Sequence, residues 1–335
     1  LQAIFEYQSL LCALSGMDIA NASHYDGGTA LAEAALMAVA STRNRRTVVL
    51  APGVNPQYRA VLRTYLQGMS IRVVGDERPD ATLDDALPMV DSSTAALVVQ
   101  SPDFFGTLHD LKSLVEHAHA AGALLVTHFD PIALGLFQTP GEAGADIATA
   151  EGQPLGVGLS FGGPYLGIFT CSEKYVRKMP GRLAGATLDL EGRLGYVLTL
   201  QAREQHIRRE QATSNICTNQ GLMALAAAVY MGLLGRQGLR LVAELCYHRA
   251  HYAATQIGRL PGYAVLDRGP FFKEFVVRCP RPVAKINAAL RERGIVGGYD
   301  LAANYPHLGD AMLLCVTEMN SKAEIDALVQ ALGKL

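Results

Sequence analysis

Ala95-Ala96-Leu97-Val98-Val99-Gln100 and Ala123-Leu124-Leu125-Val126-Thr127 are two short apolar runs that decide the fold. Between them, Leu111 to Ala121 carries apolar residues at helical spacing and is stopped by Gly122. Two short, mostly apolar strands joined by a helix of this length make a parallel unit buried on both faces. Upstream, Thr47-Val48-Val49-Leu50, a helical stretch from Gln57 to Gly68 and Ile71-Arg72-Val73-Val74 repeat the alternation. Downstream, Pro164 to Thr170 is a further run after Gly162-Gly163. The pattern predicts an α/β large domain with a mostly parallel sheet.

From Thr199 to Gly235 the pattern turns helical. Its apolar core, Gly221 to Gly235, falls short of the ~20 residues a membrane span needs and reads as a helix buried all round. The remaining chain restarts as strand, helix, strand, helix: Phe275-Val276-Val277, Val283 to Arg293, Met312 to Val316, and a helix opened by the capping box Ser321-Lys322-Ala323-Glu324 and followed by Gly333. This predicts domains 1–240 and 241–335, joined near 235–262, the second a small C-terminal α+β unit. The chain opens at Leu1 inside an amphipathic pattern, which reads as a large domain whose start is missing.

Half of the 335 residues are hydrophobic and 18% are charged, which excludes disorder as the main state. A net charge of −2 offers no basic surface for nucleic acid. Cys12, Cys171, Cys217, Cys246, Cys279 and Cys315 show no zinc-ligand spacing and read as free buried thiols of a reducing cytosol. His117 and His119, two apart on a helix, point away from each other, so no metal site is expected.

Four stretches carry chemistry. Ser23-His24-Tyr25-Asp26-Gly27-Gly28-Thr29 precedes an alanine-rich helix. It suits either a phosphate on free amides or an ordinary cap by Asp26 or Thr29. Asp130 ends a parallel strand and either pairs with a cationic ring nitrogen or turns the chain. Glu151-Gly152-Gln153 and the loop Ser160-Phe161-Gly162-Gly163-Pro164-Tyr165 allow close backbone approach or form surface turns. Arg203 to Gln220 reads as an ion-pair-laced helix at a subunit seam or site wall, with Arg203, His206, Arg208, Arg209, Thr213 and Asn215 as interface or substrate candidates.

Leu1 to Ser9, Met17 to Ala30, Ser160 to Gly167 and Arg203 to Gln220 together resemble the glycine dehydrogenase (decarboxylating) family, the P-protein of the glycine cleavage system. The resemblance is to subunit 1 of its two-chain form. It implies a fold-type I, pyridoxal-phosphate transferase-like large domain. It also implies a partner, subunit 2, that binds pyridoxal phosphate covalently, with glycine as substrate and the lipoyl arm of the H-protein as acceptor of the aminomethyl group. A cytoplasmic location follows from the same resemblance. A cofactor enzyme of this kind anchors its aldehyde on a lysine. No Lys or Arg occurs from Ser113 to Glu173, and the expected window holds Glu151-Gly152-Gln153 and Ser160-Phe161 instead. No catalytic residue is therefore assigned to this chain. Residues expected near the partner's cofactor site are Ser23, Tyr25, Asp26, Gly27, Gly28, Thr29, Asp130, Ser160, Gly162, Gly163 and Tyr165. The alternative is a scaffold that adds nothing to the active site.

Overall fold

The computed structural model describes residues 1–335. The chain begins with α1 (Gln2–Ser15), β1 (Ile19–Ala20), α2 (Gly27–Ser41), β2 (Thr47–Leu50), α3 (Pro56–Leu66) and β3 (Arg72–Val74). The short α4 (Leu83–Ala86), β4 (Thr94–Ser101), α5 (Leu111–Ala120), β5 (Leu124–Phe129), the short α6 (Pro140–Ala143), β6 (Ile147–Glu151) and β7 (Gly167–Cys171) follow. Next come β8 (Leu183–Leu188), β9 (Leu194–Thr199), the short α7 (Gln205–Arg208) and α8 (Gly221–Ile257). The chain ends with β10 (Ala264–Val265), β11 (Glu274–Arg278), α9 (Val283–Arg291), β12 (Tyr299–Asp300), β13 (Ala311–Cys315) and α10 (Lys322–Leu332).

Seven strands form the main sheet in the order β1-β7-β6-β5-β4-β2-β3. The pairs from β3 to β6 are parallel, while β7 and β1 add antiparallel at one edge. The apolar runs quoted first become β4 and β5, neighbours at the centre. Leu97, Leu125 and Ile147 are fully buried, each worth roughly 1.5–3 kcal/mol. Helix α2 lies against β6, β7 and β4. Its alanines let the backbone approach the sheet closely, and Ala30, Ala34, Ala35 and Ala38 are all fully buried.

The second sheet is antiparallel, in the order β10-β11-β13-β12. The expected strand–helix–strand–helix series is there as β11, α9, β13 and α10. Strands β10 and β12, of two residues each, are too short to leave a periodic signal. Ile257, Val277, Ile286, Leu290 and Leu332 make its core. Ser321 and Glu324 form the expected capping box.

Three expectations are corrected. Arg203 to Gln220 is not one ion-paired helix. It holds the four-residue α7 between two 3-10 turns, and no regular structure from 212 to 220. Arg209 takes a positive φ of 52°, which stops propagation. A mostly polar segment in which only Glu204 and Ile216 are buried has no continuous apolar face to sustain a long helix. The apolar helix is not buried all round. It runs to Ile257 across a kink at Gly235, and only 22% of its most apolar window is buried. By length and composition α8 is long enough to cross a membrane, yet Ala224, Ala227 and Met231 pack into the same core as Tyr7 and Leu11 of α1. Nor are all thiols buried: Cys217 and Cys315 are exposed and Cys12 is intermediate.

The hairpin β8–β9 is an addition to the expected elements. Its turn, Asp189-Leu190-Glu191-Gly192, was the available signal, with Asp189 accepting the amides of Glu191 and Arg193.

Candidate functional site

A cavity of about 760 Å³ opens at the carboxyl ends of β4, β5 and β6, where open α/β sheets take their ligands. Gln100, Asp130 and Glu151 line it from the main sheet, Tyr58 from α3 and Tyr230 from α8. Lys273, Glu274, Cys315, Thr317 and Glu318 line it from the second sheet and its loops.

Asp130 stands just past β5. Its Oδ1 accepts the amides of Ile132 at 2.8 Å and Ala133 at 3.3 Å, so it turns the chain. Its Oδ2 meets Lys273 Nζ at 2.5 Å, so it also holds a cation, and that cation is the chain's own. Lys273 is 9% exposed. Burial by itself lowers its pKa, but Asp130, then Cys315 and Glu274, raise it further, and the net shift is upward. The amine is held as ammonium and is no nucleophile. Next to it, burial pushes the Glu274 carboxyl up to about 7 against the opposing pull of Lys273.

His128, on β5, shares a hydrogen bond with Thr149 Oγ1 at 3.0 Å and faces the edge of the Tyr58 ring. Burial lowers its pKa to about 3, so the imidazole is neutral.

Glu151 ends β6, inside the window that should hold the anchoring lysine. It accepts the amides of Gly27 and Gln153, each at 2.9 Å, and of Leu166 at 3.2 Å. Burial raises its pKa and those three bonds work against the rise. At the start of α2, Asp26 Oδ1 accepts the Thr29 amide at 2.8 Å and Thr29 Oγ1 accepts the Asp26 amide at 3.2 Å. The capping box between Asp26 and Thr29 is formed. A Cβ on Gly27 would lie 3.0 Å from both Glu151 and His128, which is why glycine stands there. Gly28 passes 3.1 Å from the Tyr58 ring by the same measure.

The structure joins two of the chemically suggestive stretches. Ser23 is buried, and its Oγ accepts the Gln220 amide at 2.9 Å, while Asn219 Nδ2 donates to the Ala22 carbonyl at 3.1 Å. The Ser23–Thr29 turn thus anchors the entry to α8. Tyr25 is partly buried beside it.

The other candidates stand apart. Gly158 and Leu159 touch the cavity mouth, but Ser160, Gly162, Gly163 and Tyr165 do not line it, and Phe161 at the loop tip is 96% exposed. Gly162 has open space around it, so close approach within this chain is not its role. None of Arg203, His206, Arg208, Arg209, Thr213 and Asn215 lines the cavity. Arg203 donates to the Met179 carbonyl and leaves Nε and one Nη without a partner. It shares a small recess with Arg177, Lys178 and Thr213. His206, Arg208, Arg209 and Asn215 are exposed. His119 pairs with Asp146 at 2.7 Å, and His117 meets the Leu87 carbonyl.

Sequence reasoning missed Lys273, Glu274 and Cys315. No periodicity or spacing links them to Asp130; only the seating of the second sheet brings them there.

A pyridoxal cofactor asks three things of this fold: an amine for its aldehyde, a carboxylate free for its ring nitrogen, and free amides for its phosphate. Here the window holds Glu151, Asp130 is already paired, and the Gly27 and Thr29 amides of α2 are taken by carboxylates. These residues do not fit the cofactor.

An uncovered apolar face lies elsewhere. Leu222, Leu225, Val229 and Leu233 of α8 are 72%, 43%, 53% and 81% exposed. Steps of three and four residues keep them on one side of the helix. Val229 and Leu225 line a groove with Phe5 of α1 and Tyr196 of β9, and Leu188, Leu190 and Leu194 of the hairpin are exposed as well.

Residues 1–332 match the family model described as the glycine cleavage system P-protein. The chain is 56% identical over 335 residues to a probable glycine dehydrogenase (decarboxylating) subunit 1 of Thermomicrobium roseum, covering 99% of this chain and 75% of that one. To the protein of the same description from Desulforamulus reducens it is 54% identical, covering 100% and 75%. The crystal structure of glycine decarboxylase (P-protein) of the glycine cleavage system, in inhibitor-bound form, superposes with a TM-score of 0.94 at 43% identity. It covers all of this chain and 75% of that one. A cysteine desulfurase from Thermococcus onnurineus, at TM-score 0.70 and 16% identity over 99% of this chain and 83% of its own, shares the fold alone. The α/β transferase-like fold expected from the sequence is the fold this chain has.

Proposed function

The chain belongs to the glycine cleavage system P-protein family, and from that premise we propose that it is the lysine-free subunit of a two-subunit glycine decarboxylase. One observation carries the reading. The cavity at the strand ends has Glu151 where an anchoring amine is needed and a carboxylate, Asp130, already paired with Lys273. Pyridoxal phosphate is then held by subunit 2, where it supplies the electron sink for decarboxylation. The aminomethyl group goes to the lipoyl arm of the H-protein.

This chain completes the assembly. The apolar face of α8, the β8–β9 hairpin and residues 203–215 suit a seam with subunit 2, and burying such a face is favourable by roughly 25 cal/mol per Å². The two unpartnered guanidinium nitrogens of Arg203 are buried within this chain, so Arg208 and Arg209, exposed on the same segment, are the residues suited to a carboxylate across that seam. The Ser160–Tyr165 loop is suited to reach the partner's site, because its tip projects from this chain. Units 1–240 and 241–335 are the proposed domains, and the cytoplasm the proposed location.

Co-purification with subunit 2, then assay of glycine decarboxylation by the pair and by each half, tests the reading. Activity of the pair alone is expected; turnover by this chain in isolation ends the proposal. If Arg208→Ala leaves assembly intact and lowers turnover ~10²-fold, about 2.7 kcal/mol of barrier, the chain contributes site groups. If turnover follows assembly only, it is a scaffold.

A further inference from the structure

We infer that Lys273 and Glu151 are built-in substitutes for the two charged ends of the cofactor that this fold otherwise holds. Lys273 meets Asp130 where a protonated ring nitrogen would, and Glu151 takes the α2 amide where a phosphate would. The inference rests on the reading that the cofactor belongs to the partner, and it supplies the physical means by which this half refuses it.

The geometry at the two ends is complementary. At one, a buried ammonium sits 2.5 Å from Asp130 Oδ2, with Asp130 Oδ1 already engaged by two amides. Both oxygens of Asp130 are thus engaged, and a second cation there would face the Lys273 ammonium. At the other, Gly27 donates to Glu151 at 2.9 Å and Thr29 to Asp26 at 2.8 Å. A phosphate brought there would displace one carboxylate and face both at short range, which like charges in a partly buried site oppose. Between the two ends lies neutral His128, whose Cε1 would contact a Cβ at Gly27. Cation and anion thus line one cavity together with His128.

Filling the site internally also clamps the second sheet. Lys273 lies between Phe272 and the first residue of β11; the Phe272 amide donates to the Gly106 carbonyl at 3.2 Å, and the Leu108 amide donates to the Pro270 carbonyl at 2.8 Å. A cofactor that binds the native state stabilises it by mass action. This chain draws the equivalent contacts from its own side chains at all times. Cofactor is then loaded on one half of the assembly only.

The test uses the full chain, alone and paired with subunit 2, with pyridoxal 5′-phosphate as the probe. A free amine condenses with the aldehyde, releasing water, and borohydride reduces the product to a stable secondary amine that peptide mass spectrometry locates. Wild-type Lys273 is expected to stay unlabelled. Asp130→Asn removes the counter-charge, so burial frees the amine, and labelling at Lys273 is expected to rise at least about tenfold, the effect of a one-unit fall in pKa. If Asp130→Asn does not fold, the melting temperatures of Lys273→Met, Asp130→Leu and their double variant decide. The double is expected to melt above either single, because each single leaves a buried charge alone. Wild-type labelling equal to that of Asp130→Asn, or a double variant no more stable than the singles, overturns the inference. Those results leave the proposed function standing. Stoichiometric cofactor binding and glycine turnover by the isolated wild-type chain would sink the proposed function instead.

Discussion

The amide of Gly27 and the carboxylate of Glu151, 2.9 Å apart, tie the first turn of α2 to the last residue of β6. Glu151 serves two further amides, Gln153 and Leu166. Glu151→Ala strips all three of their acceptor and is expected to cost about 3 kcal/mol, with Glu151→Gln costing less because one oxygen remains. Urea unfolding midpoints check the order. Equal midpoints for both variants would mean that water replaces the carboxylate without penalty.

Gly106 sits where the two sheets meet. It has φ +89°, and a Cβ there would lie 1.9 Å from the Glu274 carbonyl oxygen. Gly106→Ala must push β11 away and is expected to destabilise by about 3 kcal/mol or more. Gly68, also at positive φ but with nothing nearby, is the control. There alanine costs only the left-handed backbone, about 1 kcal/mol. Calorimetry on both variants separates contact from conformation.

The apolar side of α8 makes a prediction about assembly. Leu222→Glu with Leu233→Glu changes the two most exposed members of the stripe, so the chain itself should stay folded. Association with subunit 2 is expected to weaken at least about 100-fold, close to 3 kcal/mol. Sedimentation or titration calorimetry reads it. Undiminished pairing would move the seam to another face.

Buried acids and histidines predict a stability curve with two arms. Burial raises Glu33 from 4.5 to about 7, and Glu274 likewise. A raised acid holds in the native state a proton that the unfolded chain releases. Its contribution is complete below pH 4.5 and is lost as pH rises through 7. Burial lowers His24 and His128 from 6.5 to about 3. Their contribution is complete above pH 6.5 and is lost as pH falls toward 3. Above pH 6.5 only the glutamates still act, so Glu33→Gln should lessen the slope of that arm, leaving the Glu274 part, and stabilise the chain at pH 8 by up to about 3 kcal/mol. A Glu33→Gln curve parallel to the wild type would show that Glu33 is ionised without cost.

The sequence determined strands β2 to β5 and β7 of the large sheet with helices α2, α3 and α5, the capping box at Ser321, the family, and the absence of lysine from the window around Glu151. Each is local: apolar runs, a three-residue cap and a window of a few dozen positions are read along the chain, because burial and backbone bonding repeat at short periods. Tertiary structure alone decided that Lys273 occupies the space beside Asp130, that Ser23 anchors Gln220, and that α8 leaves a leucine stripe uncovered. Those facts depend on which distant surfaces meet. Side-chain chemistry at long sequence separation carries no period, and a helix that is apolar on every side does not reveal which side its own domain will cover.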